Sequence, residues 1–284
     1  MEECTTIAAL RARLDRERQA GRSIGLVPTM GFLHDGHLAL VDDLRSVSDV
    51  VVMSIFVNPL QFGPNEDLSR YPRNIEGDRA LAASRGVDIL FVPSVAEMYP
   101  HGAETRVVAG ETGSRWEGAH RPGHFDGVLT VVAKLFNIVQ PAVAGFGQKD
   151  IEQFTLIRRM VRDLDCPLAL RRLATVREPD GLALSSRNVY LTPEARQDAL
   201  TLSRALGAVV ERWGQGEHDA ERLHAVAVSV FAAAERVQPD YIAIVDPESL
   251  APVPRAVAGT IVAVAARVGV TRLIDNVILG ERSP

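Results

Sequence analysis

The chain has 284 residues, of which 46% are hydrophobic and 24% are charged, a composition typical of a folded globular protein rather than a disordered one. Its net charge of −5 and the lack of a long basic block exclude nucleic acid as a main partner. No apolar run approaches the roughly 20 residues of a membrane-spanning helix, so we expect a cytoplasmic protein with no membrane partner. The distant Cys4 and Cys166 predict reduced thiols, not a disulfide framework.

Short runs of β-branched residues alternate with segments of helical periodicity over the first 163 residues. Strands are predicted at 24–27, 50–57, 88–92 and 142–146, and helices from 36 onward and at 75–85, 125–139 and 151–163. This alternation predicts an α/β fold, in which a parallel sheet carries helices on both faces. Ligands of such sheets bind beyond the carboxyl ends of the strands. We therefore expect functional residues at four places: after Val27, after Val57, after Phe146 and around Val176.

The pattern changes beyond about residue 177. Alanine-rich helices are predicted at 193–213 and 220–236, and strands at 241–245, 260–268 and 272–275. We therefore expect two domains: a larger sheet domain over 1–176 and a smaller C-terminal α+β domain over 177–284 that covers the site of the first.

The first predicted strand leads into the segment PTMGFLHDGH, residues 28–37. Gly31 allows a sharp turn, and Gly36 leaves room for a phosphate at the helix start, where the helix N-terminus adds partial positive charge. His34 and His37 can donate hydrogen bonds to phosphate oxygens and stabilise charge that grows during nucleotidyl transfer. The alternatives are two surface histidines or a metal pair, but no third metal ligand lies nearby in sequence. The segment therefore predicts a nucleotide-phosphate site with no resident metal.

This strand, loop and helix around His-x-Gly-His resemble the signature of the nucleotidylyltransferase and class I aminoacyl-tRNA synthetase superfamily. The resemblance implies a Rossmann-like fold and attack on the α-phosphate of a nucleotide. The signature alone does not choose a member of the superfamily.

Two further motifs come next along the chain. Asn58 and Gln61 are amides at the carboxyl end of the predicted strand 50–57, and amides suit a ligand that carries hydroxyl and carboxyl groups. An Asn-Pro turn with an incidental glutamine is the alternative. The Arg-Pro-Gly-His stretch at 121–124 is a rigid, basic turn before a helix, which either shapes a pocket wall or caps that helix.

The fourth predicted strand ends in a motif that suits phosphate binding. Gly147 permits a close backbone approach to a ligand, and Lys149 is placed to reach ATP phosphates as a point charge. Asp150 is expected to cap the next helix, and Gln153 lies about one turn into that helix on the side of the site.

The last motif is the loop VREPDGLALSSRN, residues 176–188. Ser185 offers a neutral hydrogen-bond donor and Arg187 a bidentate one, a combination that suits a mobile phosphate clamp. A generic polar loop is the alternative interpretation of this segment.

Together the five motifs closely resemble the pantoate–β-alanine ligase (pantothenate synthetase) family over about residues 24–192. The resemblance implies that ATP, pantoate and β-alanine are the substrates and that Mg2+ accompanies the triphosphate, bound mainly through phosphate oxygens and water. Pantoate would attack the α-phosphate to give pantoyl adenylate and pyrophosphate, and β-alanine would then displace AMP to give pantothenate, a coenzyme A precursor. The resemblance also implies a homodimer.

The resemblance assigns roles residue by residue. It implies ATP contacts for Met30, Gly31, Phe32, Leu33, His34, Asp35, Gly36, His37, Gly147, Gln148, Lys149, Asp150, Val176, Leu184, Ser185, Ser186 and Arg187. It implies catalytic roles for His34, His37, Lys149, Ser185 and Arg187. Gln61 and Gln153 match the pantoate-binding glutamines, and Asn58 joins them as a substrate contact. His37 is usually assigned as the proton donor, and we favour an electrostatic role because magnesium-bound pyrophosphate needs little protonation.

Three positions depart from the family pattern: Phe32 replaces a small residue, and Ile151 and Glu152 replace tyrosine and glutamine. We expect altered packing there rather than altered chemistry. A nucleotidyltransferase that adds AMP to a phosphate monoester is the nearest alternative function, and it would not need the two glutamines or the 121–124 turn. A catalytically silent nucleotide-binding protein is a second alternative, although the polar residues that face phosphate are all present.

Overall fold

The computed structural model describes residues 1–64 and 66–281, so the last three residues of the predicted C-terminal domain lie outside the described residues. The described chain forms two compact units. The first comprises Met1–Ser114, Gly118–Gly147 and Leu156–Leu173, and the second comprises Arg115–Glu117, Gln148–Thr155 and the chain from Ala174 onward. The long run of the second unit begins close to the boundary expected after residue 176, but this unit also takes in two short segments assigned above to the first domain. That the smaller domain covers the site stays a prediction.

Within the described residues, the first unit is built on a six-stranded parallel sheet with the strand order β1-β4-β3-β2-β5-β6. The strands are β1 (Glu2–Cys4), β2 (Ile24–Thr29), β3 (Val50–Ile55), β4 (Ile89–Phe91), β5 (Val143–Gly147) and β6 (Ala169–Leu173). The register of β2 on β3 ends with Thr29 opposite Ile55, so the loops that follow these two strands start side by side. The predicted α/β fold with its parallel sheet is thereby confirmed.

The helices of this part of the chain lie between the strands. They are α1 (Ile7–Gln19), α2 (Asp35–Arg45), α3 (Ile75–Ser84), α4 (Val95–Met98), α5 (Glu117–His120), α6 (His124–Val139) and α7 (Ile151–Asp163). Single 3-10 turns occur at Pro59–Gln61, Glu111–Ser114 and Gln148–Asp150. The predicted start at 36 and the predicted bounds 75–85, 125–139 and 151–163 agree with α2, α3, α6 and α7 to within one residue. The elements β1, α1, α4, α5 and β6 were not predicted.

The position of β3 in the core of the first unit explains why its sequence is an almost unbroken run of apolar residues. All six residues of β3 are buried, as expected for a parallel strand that is covered on both faces. Leu40 and Leu44 of α2 and Ala82 of α3 pack with Val27 and Met53 in one apolar cluster. Each fully buried aliphatic side chain of this kind contributes about 1.5–3 kcal/mol to folding. The cluster fixes α2 and α3 against the sheet, and both helices carry residues that shape the loop after β2.

The second unit contains, among the described residues, a three-stranded antiparallel sheet in the order β7-β8-β9. Its elements are α8 (Pro193–Gly214), α9 (Ala220–Ala232), β7 (Val237–Val245), β8 (Ile261–Val268) and β9 (Thr271–Ile278). Leu206 of α8 and Phe231 of α9 pack with Val264 of the sheet in a single apolar core. The strand predicted at 272–275 is longer than expected, and its extension to Ile278 brings Asn276 into β9 next to Asp275.

None of the helices in the described ranges combines the length and the apolar character that crossing a lipid bilayer requires.

Candidate active site

The loop after β2 is shaped by a buried carboxylate on α3. Gly31 and Phe32 have φ angles of +82° and +52°, and a Cβ added at Gly31 would lie 2.8 Å from Oδ2 of Asp78. Asp78 is only 3% exposed and accepts the N–H groups of Phe32 and Leu33 at 2.8 and 2.7 Å. These charge-assisted hydrogen bonds offset the cost of about 1–2 kcal/mol for a left-handed residue other than glycine. Asp78 was not predicted from the sequence, because its bonded partners lie 46 and 45 positions away.

The two histidines of the loop lie together at the start of α2, with ring centroids 4.1 Å apart. His34 is the N-cap residue of the helix, and its N–H donates to Nδ1 of His37 in a long hydrogen bond of 3.4 Å. A ring nitrogen that accepts an N–H carries no proton, so this hydrogen bond assigns the tautomer of His37 that has its proton on Nε2. The structure thus brings the two predicted phosphate contacts together where the helix supplies partial positive charge.

The amide of Asn58 is buried and is fully used by the protein itself. Its Nδ2 donates to Oε1 of Gln61 at 3.1 Å and to the carbonyl of Gly127 at 3.0 Å. Its Oδ1 accepts from the Tyr99 hydroxyl at 2.9 Å and from the Leu60 N–H at 3.3 Å. Two donated and two accepted bonds are the full capacity of a side-chain amide. We therefore interpret Asn58 as a residue that orients Gln61, and its direct contact with substrate stays a prediction.

Gln61 is held through both its side chain and its backbone. Its Nε2 lies 3.1 Å from Sδ of Met30, which brings a predicted pantoate contact beside a predicted ATP contact. Its carbonyl oxygen lies 2.8 Å from Nδ1 of His124 and accepts from Arg121 at 3.3 Å. Arg121 also lies 3.1 Å from Nε2 of His124, and because arginine can only donate, Nδ1 of that histidine carries the ring proton and donates to Gln61.

These contacts decide between the two interpretations of the basic turn that ends at His124. Arg121 is itself held by Glu66 at 3.0 Å. Burial alone would raise the pKa of the Glu66 carboxyl, but the hydrogen bonds and charge of Arg121 outweigh burial and lower that pKa. A Cβ added at Gly127 would lie 2.2 Å from the Leu60 carbonyl oxygen, so a glycine is required where α6 approaches the turn that carries Gln61. The basic turn therefore braces a wall of the predicted pantoate site.

In the second unit, the predicted phosphate residue Lys149 lies in the 3-10 turn Gln148–Asp150, directly before α7. Its Nζ lies 3.5 Å from Oδ1 of Asp150 and forms a partly exposed ion pair. Such a pair is weak, so replacing the Asp150 carboxylate by a phosphate oxygen costs little free energy. No described atom lies within 4 Å of a Cβ added at the preceding Gly147, so the backbone there is open to close approach. Gln153 is half-buried in the first turn of α7.

The predicted phosphate loop forms a short hairpin in which the Leu184 N–H donates to the Val176 carbonyl at 3.0 Å. Arg196 of α8 holds the hairpin through ion pairs of 2.7 Å to Glu178 and 2.8 Å to Asp180. The backbone between the predicted adenine contact and the predicted phosphate contacts is therefore anchored to a long helix.

Ser185 and Arg187 follow this hairpin. Ser185 is the N-cap of the 3-10 turn Ser186–Tyr190, and its Oγ accepts the Arg187 N–H at 3.2 Å. Accepting that bond leaves the hydroxyl proton able to donate, as a phosphate contact would require. The individual assignments of ligand contacts in both units stay predictions.

Glu152, one of the departures from the family pattern, is 6% exposed beside Gln153. Its Oε1 accepts the Tyr241 hydroxyl at 2.7 Å, and its Oε2 accepts the Glu117 N–H at 3.1 Å. Burial raises the pKa of Glu152 to about 7, and the charge of Glu117 acts in the same direction. The Tyr241 and Glu117 hydrogen bonds and the charge of Arg272 act against this rise. A buried carboxyl that titrates near neutral pH therefore lies next to a predicted pantoate contact.

Comparison with known sequences gives a consistent result over nearly the whole chain. A family model described as Pantoate-beta-alanine ligase matches residues 2–278. The chain is 53% identical over 279 residues to the pantothenate synthetase of Moorella thermoacetica, an alignment that covers 98% of this chain and 99% of that relative. It is 55% identical over 277 residues to the pantothenate synthetase of Thermus thermophilus, with 97% and 98% covered.

Comparison with solved structures agrees. The crystal structure of pantothenate synthetase from Thermus thermophilus matches with a TM-score of 0.93 at 53% identity, covering 98% of this chain and 99% of that one. The pantoate-beta-alanine ligase of Francisella tularensis, complexed with beta-gamma ATP and beta-alanine, matches with a TM-score of 0.80 at 33% identity and covers all of both chains. The fold described above is therefore the Rossmann-like fold of these relatives.

Asp78→Asn tests whether the Asp78 carboxylate holds the loop that carries His34 and His37. The change sets an amide NH2 group against one of two buried backbone N–H groups, so we expect the free energy of unfolding to fall by about 1–3 kcal/mol and ATP to bind about tenfold more weakly. Denaturant unfolding and a fluorescence or calorimetric ATP titration measure the two effects. Asp126→Asn is the matched control, because Asp126 also accepts a backbone N–H, that of Ala109 at 2.8 Å. Unchanged ATP affinity in Asp78→Asn would contradict the proposed brace.

Glu152→Gln tests the buried carboxyl. The pKa of Glu152 in the folded protein, about 7, exceeds its ordinary value of 4.5, so the folded state binds more protons between these values. This group's contribution to stability is therefore lost as the pH rises from about 4.5 to about 7. We expect Glu152→Gln to gain stability relative to the parent protein over that range, by about 3 kcal/mol above pH 7.

Denaturant unfolding of both proteins between pH 5 and pH 8.5 measures this difference, and the exposed Glu221→Gln serves as control. A stability difference between Glu152→Gln and the parent that does not vary with pH would contradict the assignment.

Proposed function

Because this chain belongs to the pantoate–β-alanine ligase family, it is an ATP-dependent ligase that makes pantothenate from pantoate and β-alanine, and we propose that pantoyl adenylate is its intermediate. The observation that carries the proposal is the pair of histidine rings, 4.1 Å apart, at the N-terminus of α2. A carboxylate is a poor electrophile, and joining it to AMP as a mixed anhydride splits one difficult step into two easier ones.

In the first step, an oxygen of the pantoate carboxylate attacks the α-phosphorus of ATP. A bond forms between that oxygen and phosphorus, the bond from phosphorus to the bridging oxygen breaks, and pyrophosphate leaves with the electron pair. Negative charge grows on the α-phosphoryl oxygens and on the bridging oxygen. Donors from His34 and His37 at these oxygens would stabilise the transition state more than the bound substrate, which is what accelerates the step.

His37 acts in this proposal as a neutral hydrogen-bond donor. Its Nδ1 accepts the His34 N–H at 3.4 Å, and the proton on Nε2 is then the one directed to a phosphate oxygen. Protonation of Nδ1 would turn that accepted bond into a repulsion between two donors. Both points support charge stabilisation, not proton transfer, as the role of His37.

Lys149, Arg187 and Ser185 are also proposed as triphosphate contacts. Lys149 supplies a point charge for the leaving pyrophosphate, Arg187 a bidentate donor, and Ser185 a neutral hydroxyl. The remaining ATP contacts are proposed for Met30, Gly31, Phe32, Leu33, Asp35, Gly36, Gly147, Gln148, Asp150, Val176, Leu184 and Ser186.

Gln61 and Gln153 are proposed as the pantoate contacts. The orientation of the Gln61 amide follows from two hydrogen bonds. The Gly127 carbonyl accepts from Nδ2 of Asn58, which fixes the Asn58 amide. The same Nδ2 also donates to Gln61, so the atom of Gln61 that faces it is the acceptor Oε1. Nε2 of Gln61 is thereby left as the group that donates to a pantoate oxygen. Asn58 then contributes by fixing this orientation.

In the second step, the β-alanine amine attacks the carbonyl carbon of pantoyl adenylate. A carbon–nitrogen bond forms, the bond from carbon to the phosphate-bound oxygen breaks, and AMP leaves with that oxygen while the amine releases a proton. One original oxygen of pantoate therefore ends in AMP and the other in the amide of pantothenate.

We propose Mg2+ as a companion of ATP and not as a resident cofactor. Across the described residues, no group of three or more His, Cys, Asp or Glu side chains is arranged to hold a metal ion. A magnesium ion carried by phosphate oxygens and water needs no such group, so the residues present fit this form of binding. A homodimer, expected from the family resemblance, and a cytoplasmic location, expected from the sequence itself, complete the proposal.

Pantoate-dependent exchange of labelled pyrophosphate into ATP, measured without β-alanine, tests the adenylate. Reversal of the first step requires only pantoate, ATP and pyrophosphate, so we expect exchange at a rate within about tenfold of pantothenate formation. No exchange in enzyme that still makes pantothenate would contradict a free-standing adenylation step. Exchange that depends on a phosphate monoester in place of pantoate would instead support the nucleotidyltransferase alternative.

A further inference from the structure

Strand β9 carries a buried amide that holds the backbone around Lys149. Asn276 is 2% exposed, and its Nδ2 donates to the carbonyls of Gln148 and Lys149, both at 2.9 Å. Its Oδ1 accepts from Nε2 of Gln148 at 3.3 Å. One side chain thus holds two consecutive peptide groups of the turn from which the Lys149 side chain projects.

Asp275, the preceding residue of β9, holds the hairpin 176–187, which is the second segment proposed to bind phosphate. Asp275 is 3% exposed, and its carboxylate accepts from Nη1 and Nη2 of Arg177 at 2.6 and 3.0 Å. Nη1 of Arg177 also donates to the carbonyl of Gly181, at the turn of the hairpin, at 3.2 Å. The Asp275 carboxylate also accepts the N–H of Asn276 at 2.8 Å, which couples the two residues.

We infer that Asp275 and Asn276 are positioning residues for adenylation. They tie the Lys149 turn and the hairpin 176–187 to adjacent residues of one strand, which sets the two phosphate-binding segments at a fixed separation. The inference deepens the proposed function and rests on it, because it assigns these residues a purpose only if Lys149 and the hairpin contact the same triphosphate.

These residues are expected to affect the rate through the position of the Lys149 ammonium group. Lysine is a flexible point charge, so the position of its ammonium group depends on how firmly its backbone is held. A displacement of about 1 Å of a group that stabilises a transition state can cost about a hundredfold in rate. Loss of a side chain that served stability alone would slow both steps alike.

Separate assays of the two reaction steps distinguish a residue that positions Lys149 from a residue that only stabilises the fold. Lys149 acts on the leaving pyrophosphate, so it matters for adenylation and not for the later attack of β-alanine. Pantoate-dependent pyrophosphate exchange reports the first step, and AMP release from synthetic pantoyl adenylate with β-alanine reports the second. Both assays use the full chain with MgATP or the synthetic adenylate as the probe.

Asn276→Asp is the main variant, because it keeps the shape of the side chain but sets a carboxylate oxygen against two carbonyl oxygens. We expect exchange to fall about a hundredfold and AMP release from synthetic adenylate to change by less than about threefold. Asn137→Asp is the matched control, since the Asn137 amide also donates to a backbone carbonyl, that of Ala133 at 2.8 Å, but on an exposed helix surface.

A double variant tests whether Asn276 acts through Lys149. Lys149→Ala should lower exchange by about a hundredfold, and Lys134→Ala is its control because Lys134 and Lys149 are the two lysines of the chain. If Asn276 works by placing Lys149, Lys149→Ala combined with Asn276→Asp should lie within about threefold of Lys149→Ala alone.

The inference is overturned if Asn276→Asp leaves pyrophosphate exchange within about threefold of the parent protein or slows both steps equally. It is also overturned if the double variant loses exchange activity by the product of the two single losses. If Lys149→Ala itself leaves exchange unchanged, the proposed role of Lys149 fails, and the inference fails with it. Should Asn276→Asp not fold, Asn276→Ser, which keeps one donor, is measured by the same assays with the same criteria. A loss confined to exchange in either variant supports the inference.

Discussion

The buried carboxylate of Asp78 holds the loop that carries His34 and His37, on which the proposed adenylation site depends. Gly31 and Phe32 turn the chain through left-handed conformations, so that two successive N–H groups reach one side chain. The register of β2 on β3 starts this loop beside the turn that carries Gln61. Because the loop is shaped by the protein's own contacts, the role proposed for its histidines at the α-phosphate would need no reorganisation as charge develops, which is the condition for effective electrostatic catalysis.

In both units, a buried polar side chain holds a backbone segment that carries a predicted ligand contact. Asn58 and His124 fix the side chain and the carbonyl of Gln61 in the first unit. Asn276 fixes the turn of Lys149 in the second. Such buried polar groups are costly unless every bond is made, so each brace is specific to one arrangement of the chain. The site is accordingly determined as much by residues behind the ligand contacts as by the contacts themselves.

The fold was predictable because parallel strands and amphipathic helices leave local patterns, as the apolar run of β3 shows. β6 was missed because it is a half-exposed edge strand whose sequence, ALRRL, has no apolar run, and β1 because it has three residues. The proposed ligand contacts come from motifs that resemble a known family, and they stay predictions. Asp78 and Asn276 were not predicted, because they are ordinary polar residues whose partners lie 45 or more positions away. Long-range hydrogen bonds leave no signal in local spacing.

In the proposed mechanism, a pantoate oxygen becomes bonded to the α-phosphorus of ATP. Pantoate labelled with oxygen-18 at its carboxylate tests this most directly, with the products separated and weighed by mass spectrometry. Attack at the α-phosphorus predicts one labelled oxygen in AMP, one in the amide of pantothenate and none in pyrophosphate. Label in pyrophosphate with none in AMP would place the attack at the β-phosphorus and contradict the adenylate mechanism.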